Sequence, residues 1–140
     1  MSRADKITLE RKKTELYSDF LTNFDQNPIT GTLARVTNEE SVKQSLRNLV
    51  LTNTGERFYD SNKGSKIRQS LFESYDPDNL EIIKIQLKET IDAYEPRANI
   101  LDINFTDGLD ENSYGVSIIF SIINIPNSSY DISINISRVR

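Results

Sequence analysis

Apolar residues recur at helical spacing through most of the chain and at alternate positions in its last third. Between residues 77 and 95, Leu80, Ile83, Leu87, Ile91 and Tyr94 return at steps of three and four, which puts them on one stripe of a helix. Asp76-Pro77 starts that helix, with aspartate as N-cap and proline at the first position, where its missing N–H costs nothing. Pro96 ends it by driving Glu95 out of helical geometry. Upstream, Val42, Leu46, Leu49 and Val50 share one face of an earlier helix, opened by Thr37-Asn38-Glu39-Glu40, a capping box, and stopped by Thr52-Asn53-Thr54-Gly55. After a loop over 55–65, Ile67, Leu71 and Phe72 predict a short second helix.

Past Pro96 the period changes to two. Leu101, Ile103 and Phe105 alternate, then Tyr114, Val116, Ile118, Phe120 and Ile122, with Ile119 and Ile123 adding apolar surface to the other face. Tyr130, Ile132, Ile134 and Ile136 alternate against Asp131, Ser133, Asn135 and Ser137. Short loops make the three strands antiparallel neighbours. The expected class is α+β, with an N-terminal arm and helices and one long helix packed on a three-stranded antiparallel sheet. Its core is the stripe Leu80, Ile83, Leu87, Ile91 and Tyr94 against Leu101, Ile103, Phe105, Val116, Ile118 and Phe120. The middle strand is apolar on both faces, and the N-terminal helices could supply a second layer for it.

Residues 1–30 read as an arm and 31–140 as one domain, a size that suits a single core. In the arm, Leu16, Tyr17, Phe20, Leu21 and Phe24 fit either one face of a short helix or a docked arm. The run 27–31, Asn-Pro-Ile-Thr-Gly, is a turn by composition.

Composition then removes several functions. No stretch approaches the ~18 apolar residues that a membrane span needs, and the polar N-terminus has no signal-peptide core, so no membrane partner is expected. With no cysteine and no histidine, thiolate chemistry, Ser-His-Asp triads and most zinc sites are excluded, and no cofactor is expected. A net charge of −4 argues against a general nucleic-acid binder. The charge is uneven: the first seventy residues hold 12 basic and 9 acidic groups and the last seventy hold 5 and 12, an asymmetry that would orient the molecule against a charged partner.

Two features point outward. The last strand, 130–137, would lie at a sheet edge, yet it contains no lysine or proline to blunt that edge. Its residues Tyr130, Ile132, Ser133, Ile134, Asn135 and Ile136 are candidates for accepting a strand from another chain. The other is Glu95-Pro96-Arg97. A glutamate at a helix C-terminus is disfavoured by the helix dipole by ~0.3–1 kcal/mol and calls for a cation. Arg97 could answer it within the chain and pin the turn, or the stiff joint could present both charges to a partner; the sequence leaves both open.

Tyr17-Ser18-Asp19-Phe20, the run NPITGTLARVTNEESVKQSLRNLVLTNTGER over 27–57, Leu71-Phe72-Glu73, and Tyr94-Glu95-Pro96-Arg97 followed by an alternating strand together resemble the phage baseplate wedge family, sometimes called lysozyme-like. The resemblance runs from about residue 17 to the C-terminal Ser-Arg-Val-Arg, with the segment after Gly55-Glu56-Arg57 departing from the family's pattern. It implies a virion protein of a contractile-tail baseplate, assembled in the host cytoplasm, with a fold similar to the inner domain of a tail sheath subunit. It implies docking on the wedge core through Glu95, Pro96 and Arg97, and extension of the sheet by strands of the first sheath ring. The implied partners are the tail sheath protein, other baseplate wedge proteins, and further tail tube or hub proteins. A related type VI-like injection system is the alternative setting.

The lysozyme-like label also raises a carboxylate-dependent peptidoglycan hydrolase. Such chemistry needs two carboxylates ~5–9 Å apart, one with a raised pKa. Glu89, Asp92 and Glu95 on the main helix and Asp107, Asp110 and Glu111 in one loop are the candidates. Neither set marks an apolar pocket, so a non-enzymatic role is expected.

Overall fold

The structure, a computed structural model, describes residues 14–73, 77–107, 113–125, 127 and 129–137. Two short strands, β1 (Ser18–Phe20) and β2 (Arg35–Thr37), precede three helices, α1 (Asn38–Leu51), α2 (Ile67–Glu73) and α3 (Pro77–Tyr94). A meander follows: β3 (Ala98–Asp107), β4 (Ser113–Ile122) and β5 (Tyr130–Ser137). The sheet order is β3-β4-β5, all antiparallel, so β4 is central and β3 and β5 are the edges.

The periodicities explain the layers. Ile103, Ile118 and Ile132 form one row across the sheet, and Phe105, Val116 and Ile134 form the next. These rows face α3, whose Ile83, Leu87 and Ile91 are buried, and α1, whose Val42, Leu46, Leu49 and Val50 are buried, in one continuous core. Packing of α3 on β3 and of α1 on β5 sets both helices side by side on the same face. Among the described residues, α1 therefore does not supply the second layer that the N-terminal helices could have given the opposite face. That face carries Asn104, Ser117 and Ser133 in one row and Thr106, Gly115 and Asn135 in another, a polar surface that needs no cover. Ile119 is its half-buried exception, and Ile123, beyond the strand end, is exposed.

Leu101 is a second correction. Expected in the core, it is 55% exposed, while Ile100 and Ile103 are both buried. Residues three apart cannot face the same side of a regular strand. The register shift between Ile100 and Asp102 inserts Leu101 as a β-bulge and turns both isoleucines inward.

The N-terminal arm is extended where it is described: β1 pairs antiparallel with β2, which excludes the helical alternative there. The turn at 27–31 closes with Asn27 N–H donating to the Thr32 carbonyl at 2.7 Å and Gly31 in left-handed geometry. Helix α1 begins after Thr37 as expected, but the Thr37 hydroxyl makes no capping bond. The residue that organises this end is Asn38, with φ +48° and 2% exposure. Asp76, the expected cap of α3, lies outside the described residues, as does most of the loop at 106–113. No helix among the described residues is long and apolar enough to cross a membrane.

Candidate functional site

The joint between α3 and β3 follows from the local sequence. Helix α3 ends at Tyr94, its last turn closed by Glu95 N–H on the Ile91 carbonyl at 2.7 Å, and Pro96 prevents continuation. Ala98 N–H then returns to the Glu95 carbonyl at 3.2 Å, and β3 begins. This tight turn sets the side chains of residues 95 and 97 face to face. Arg97 Nε donates to Glu95 Oε1 at 2.5 Å and a terminal nitrogen donates to Oε2 at 2.7 Å, a two-point fork.

The fork is held from two further elements. Ser45 on α1 donates its hydroxyl to Glu95 Oε2, and Ser41, one turn earlier, accepts from Arg97 at 3.4 Å. The guanidinium lies over the Tyr17 ring at 5.6 Å, and the Tyr17 hydroxyl donates to the Ile123 carbonyl at 3.2 Å. Ile123 N–H in turn donates to the Arg97 carbonyl at 2.9 Å. Helix α1, helix α3, the start of β3, the end of β4 and the N-terminal arm therefore meet at one ion pair. Of the two readings left open, the intramolecular pair is present. The face left to solvent is Pro96, which is exposed, and the outer part of Arg97, whose side chain is 28% exposed against 4% for Glu95.

Burial pushes the Glu95 carboxyl up, but the hydrogen bonds from Arg97 and Ser45 and the Arg97 charge outweigh it and hold the group below the usual carboxylate range. The hydrogen bond to Glu95 raises Arg97 in turn. Because the folded pKa of Glu95 lies below its unfolded value of ~4.3, its contribution to stability is complete above that pH and is lost as pH falls through the folded value. In urea unfolding, the difference in stability between the wild type and Glu95→Gln should shrink as pH is lowered from 5 toward 2. A difference that stays constant over that window would mean the carboxylate charge contributes nothing.

This geometry does not suit the hydrolase expectation. Glu89 and Asp92 are exposed on the outside of α3, whereas Glu95 is buried on its inner side with a lowered pKa, the opposite of a general acid. Asp110, Glu111 and the side chain of Asp107 lie outside the described residues.

The second candidate surface is the outer edge of β5, which pairs with no strand among the described residues. Ile132, Ile134 and Ile136 point into the core, Ser133 and Asn135 are exposed, and Tyr130 is half-buried with its ring 5.9 Å from that of Phe120. Beside this edge runs a trough of about 510 Å³, with one wall from the arm and β2 (Leu21, Thr22 and Val36), one from α1 and one from β5 itself (Asp131, Ile132, Ser133). The two sheet edges differ. β5 pairs with β4 in unbroken register, while β3 carries the Leu101 bulge beside Lys84 and Lys88 of α3.

Sequence reasoning missed Ser41, Ser45 and Asn38. The two serines are four residues apart beside the apolar stripe of α1, a helical pair aimed inward. Asn38 was readable only as part of a capping box, although asparagine is among the few residues that tolerate positive φ.

Comparison with known proteins places these surfaces in a context. The family model described as baseplate wedge protein gp25 matches residues 36–126. The baseplate wedge protein gp25 of Enterobacteria phage T4 is 28% identical over 97 residues, 69% of this chain and 74% of that protein. A chain of the anti-feeding prophage baseplate is 28% identical with a TM-score of 0.66, covering 79% of this chain and 89% of its own. A Geobacter sulfurreducens protein with the provisional name tail lysozyme also superposes with a TM-score of 0.66, over 75% of this chain and 95% of its own. At 21% identity that likeness is one of fold.

Proposed function

The chain belongs to the baseplate wedge protein gp25 family, whose members are parts of contractile phage-like tail baseplates, and on that premise we propose that it docks on the wedge core and templates the first ring of sheath subunits by accepting a strand at β5. The observation that carries the sheath reading is the asymmetry of the sheet edges. Neither strand carries lysine or proline and both have basic side chains of a helix beside them, but a bulge breaks β3, as guarded edges often are broken, whereas β5 pairs in unbroken register and is bordered by an open trough. Strand addition there would continue the sheet, with backbone hydrogen bonds supplying affinity.

Docking on the wedge core would use the Glu95-Pro96-Arg97 joint in divided roles. Glu95 faces inward and serves to fix Arg97, while Pro96 and the outer rim of Arg97 form the contact surface. The protein acts as a structural part and not as an enzyme, since Glu95, the buried carboxylate among the described residues, is already bound to arginine and serine.

The test for strand addition is sheath growth on baseplate–tube complexes reconstituted with Ser133→Lys/Asn135→Lys. Both residues are exposed, so circular dichroism and thermal unfolding should match the wild type. Lysines on the strand should lower the fraction of complexes that carry sheath about tenfold or more. Normal growth with the folded variant would reject strand addition at β5. Sheath growth on complexes lacking the protein altogether would reject the initiator role.

A further inference from the structure

The trough beside β5 also indicates what kind of strand it takes. Its apolar strip comes from the half-buried Leu21 and Val36, and its α1 wall presents Glu40, Lys43, Gln44 and Arg47. These wall residues are not equivalent. Gln44 is committed to the arm: its Oε1 accepts from Thr22 N–H at 3.1 Å and its Nε2 donates to the Phe20 carbonyl at 2.8 Å. That amide fixes the arm as the far wall of the trough. Lys43 pairs with Glu40 at 3.6 Å and lies over the Tyr130 ring at 5.8 Å. Arg47 is exposed and enters no hydrogen bond or ion pair among the described residues. Among the described residues it is the α1 cation left unanswered on that wall; across the trough the exposed Asp131 of β5 supplies an acidic position, so the two walls present charges of opposite sign at different places.

We infer that the trough selects an extended segment of the sheath subunit that turns an apolar side chain onto Leu21 and Val36 and a carboxylate onto Arg47. This inference rests on strand addition at β5 and adds its register. Backbone pairing alone lets a strand slip along an edge, and a slip of one residue exchanges its two faces. A charge at one position of the trough, with an apolar strip at another, penalises every slipped register, which is how interfacial charges supply specificity. Leu21 and Thr22 reach the trough from outside the continuous β2–α1 segment, and Gln44 holds them there, so the wall they form depends on that clamp.

The experiment compares sheath growth on complexes carrying wild type, Arg47→Glu, and Ser133→Lys/Asn135→Lys, each first shown to be folded by circular dichroism. Arg47→Glu should lower the fraction of sheathed complexes about tenfold at low salt, with a smaller loss at high salt as the repulsion is screened. A sheath subunit whose added strand has its carboxylate changed to lysine should restore growth on Arg47→Glu. Normal growth with Arg47→Glu, while the double lysine variant fails, would overturn the trough reading and leave strand addition standing. Loss that the charge-swapped sheath does not restore would overturn it too, by assigning Arg47 to another contact. Normal growth with the double lysine variant would remove strand addition, and this inference with it.

Discussion

Replacing Arg97 with alanine is expected to lower the unfolding free energy by about 3–5 kcal/mol, the cost of leaving a buried charge without its partner. The size follows from the unequal burial of the pair. Glu95 has 4% of its side chain exposed, so it cannot turn to water when Arg97 is removed. It keeps only the Ser45 hydroxyl, and burial, which opposes its charge, is no longer outweighed. Glu95→Gln should cost less, about 1–2 kcal/mol, because Arg97 is 28% exposed and can solvate, and the amide oxygen still accepts one bond. Arg97→Lys should fall between them, since an ammonium keeps the charge but cannot bridge both carboxylate oxygens. Urea denaturation at neutral pH orders the three variants. Equal losses for Arg97→Ala and Glu95→Gln would mean that uncompensated burial of Glu95 is not the controlling effect. A loss below about 1 kcal/mol for Arg97→Ala would mean that Pro96 and core packing alone hold the joint.

The same pair shows what could be read from the sequence and what could not. Helix 77–94 was legible because two prolines punctuate it and its apolar stripe is unbroken, and the meander because polar residues separate its isoleucines one by one. These are local signals, decided within one element. The Leu101 bulge was not legible. The alternation Leu101-Ile103-Phe105 is as good a strand pattern as the true one, and only the need to bury Ile100 beside Phe120 selects the bulge. The arm misled for a related reason. Leu16, Phe20 and Phe24 have helical spacing, but all three are exposed, and the extended backbone is imposed by amides of α1. The layer arrangement was likewise undetermined, because an amphipathic helix such as α1 does not specify which face of the sheet it covers. As for the candidate sites, sequence could name Glu95, Pro96 and Arg97 and the edge 130–137. It could not show that Ser41, Ser45 and Tyr17 close around the joint, since these lie 50 or more residues away along the chain.

Asn38→Ala should cost about 3 kcal/mol, from two separable causes. Its amide oxygen accepts from Leu16 N–H at 2.9 Å and Tyr17 N–H at 3.4 Å, and its amide nitrogen donates to the Thr14 carbonyl at 3.0 Å. Loss of this buried amide should cost about 2 kcal/mol. The φ of +48° adds roughly 1 kcal/mol for alanine, which pays a penalty there that glycine does not. Asn38→Gly should therefore recover about a third of the loss, and Asn38→Asp, which keeps an acceptor but loses the donor, should also be intermediate. Hydrogen exchange locates the damage: the amides of Leu16 and Tyr17 should lose protection while those of β4 change in step with global stability. If arm and sheet lose protection equally, the arm is an integral part of the folding unit and cannot be released separately. If the arm alone opens, Tyr17 leaves Arg97 and the wall of the trough at Leu21 and Val36 loosens with it. On the proposed function, sheath growth should then fall even at temperatures where the variant remains folded, because the same arm borders both the proposed docking joint and the proposed strand-accepting edge.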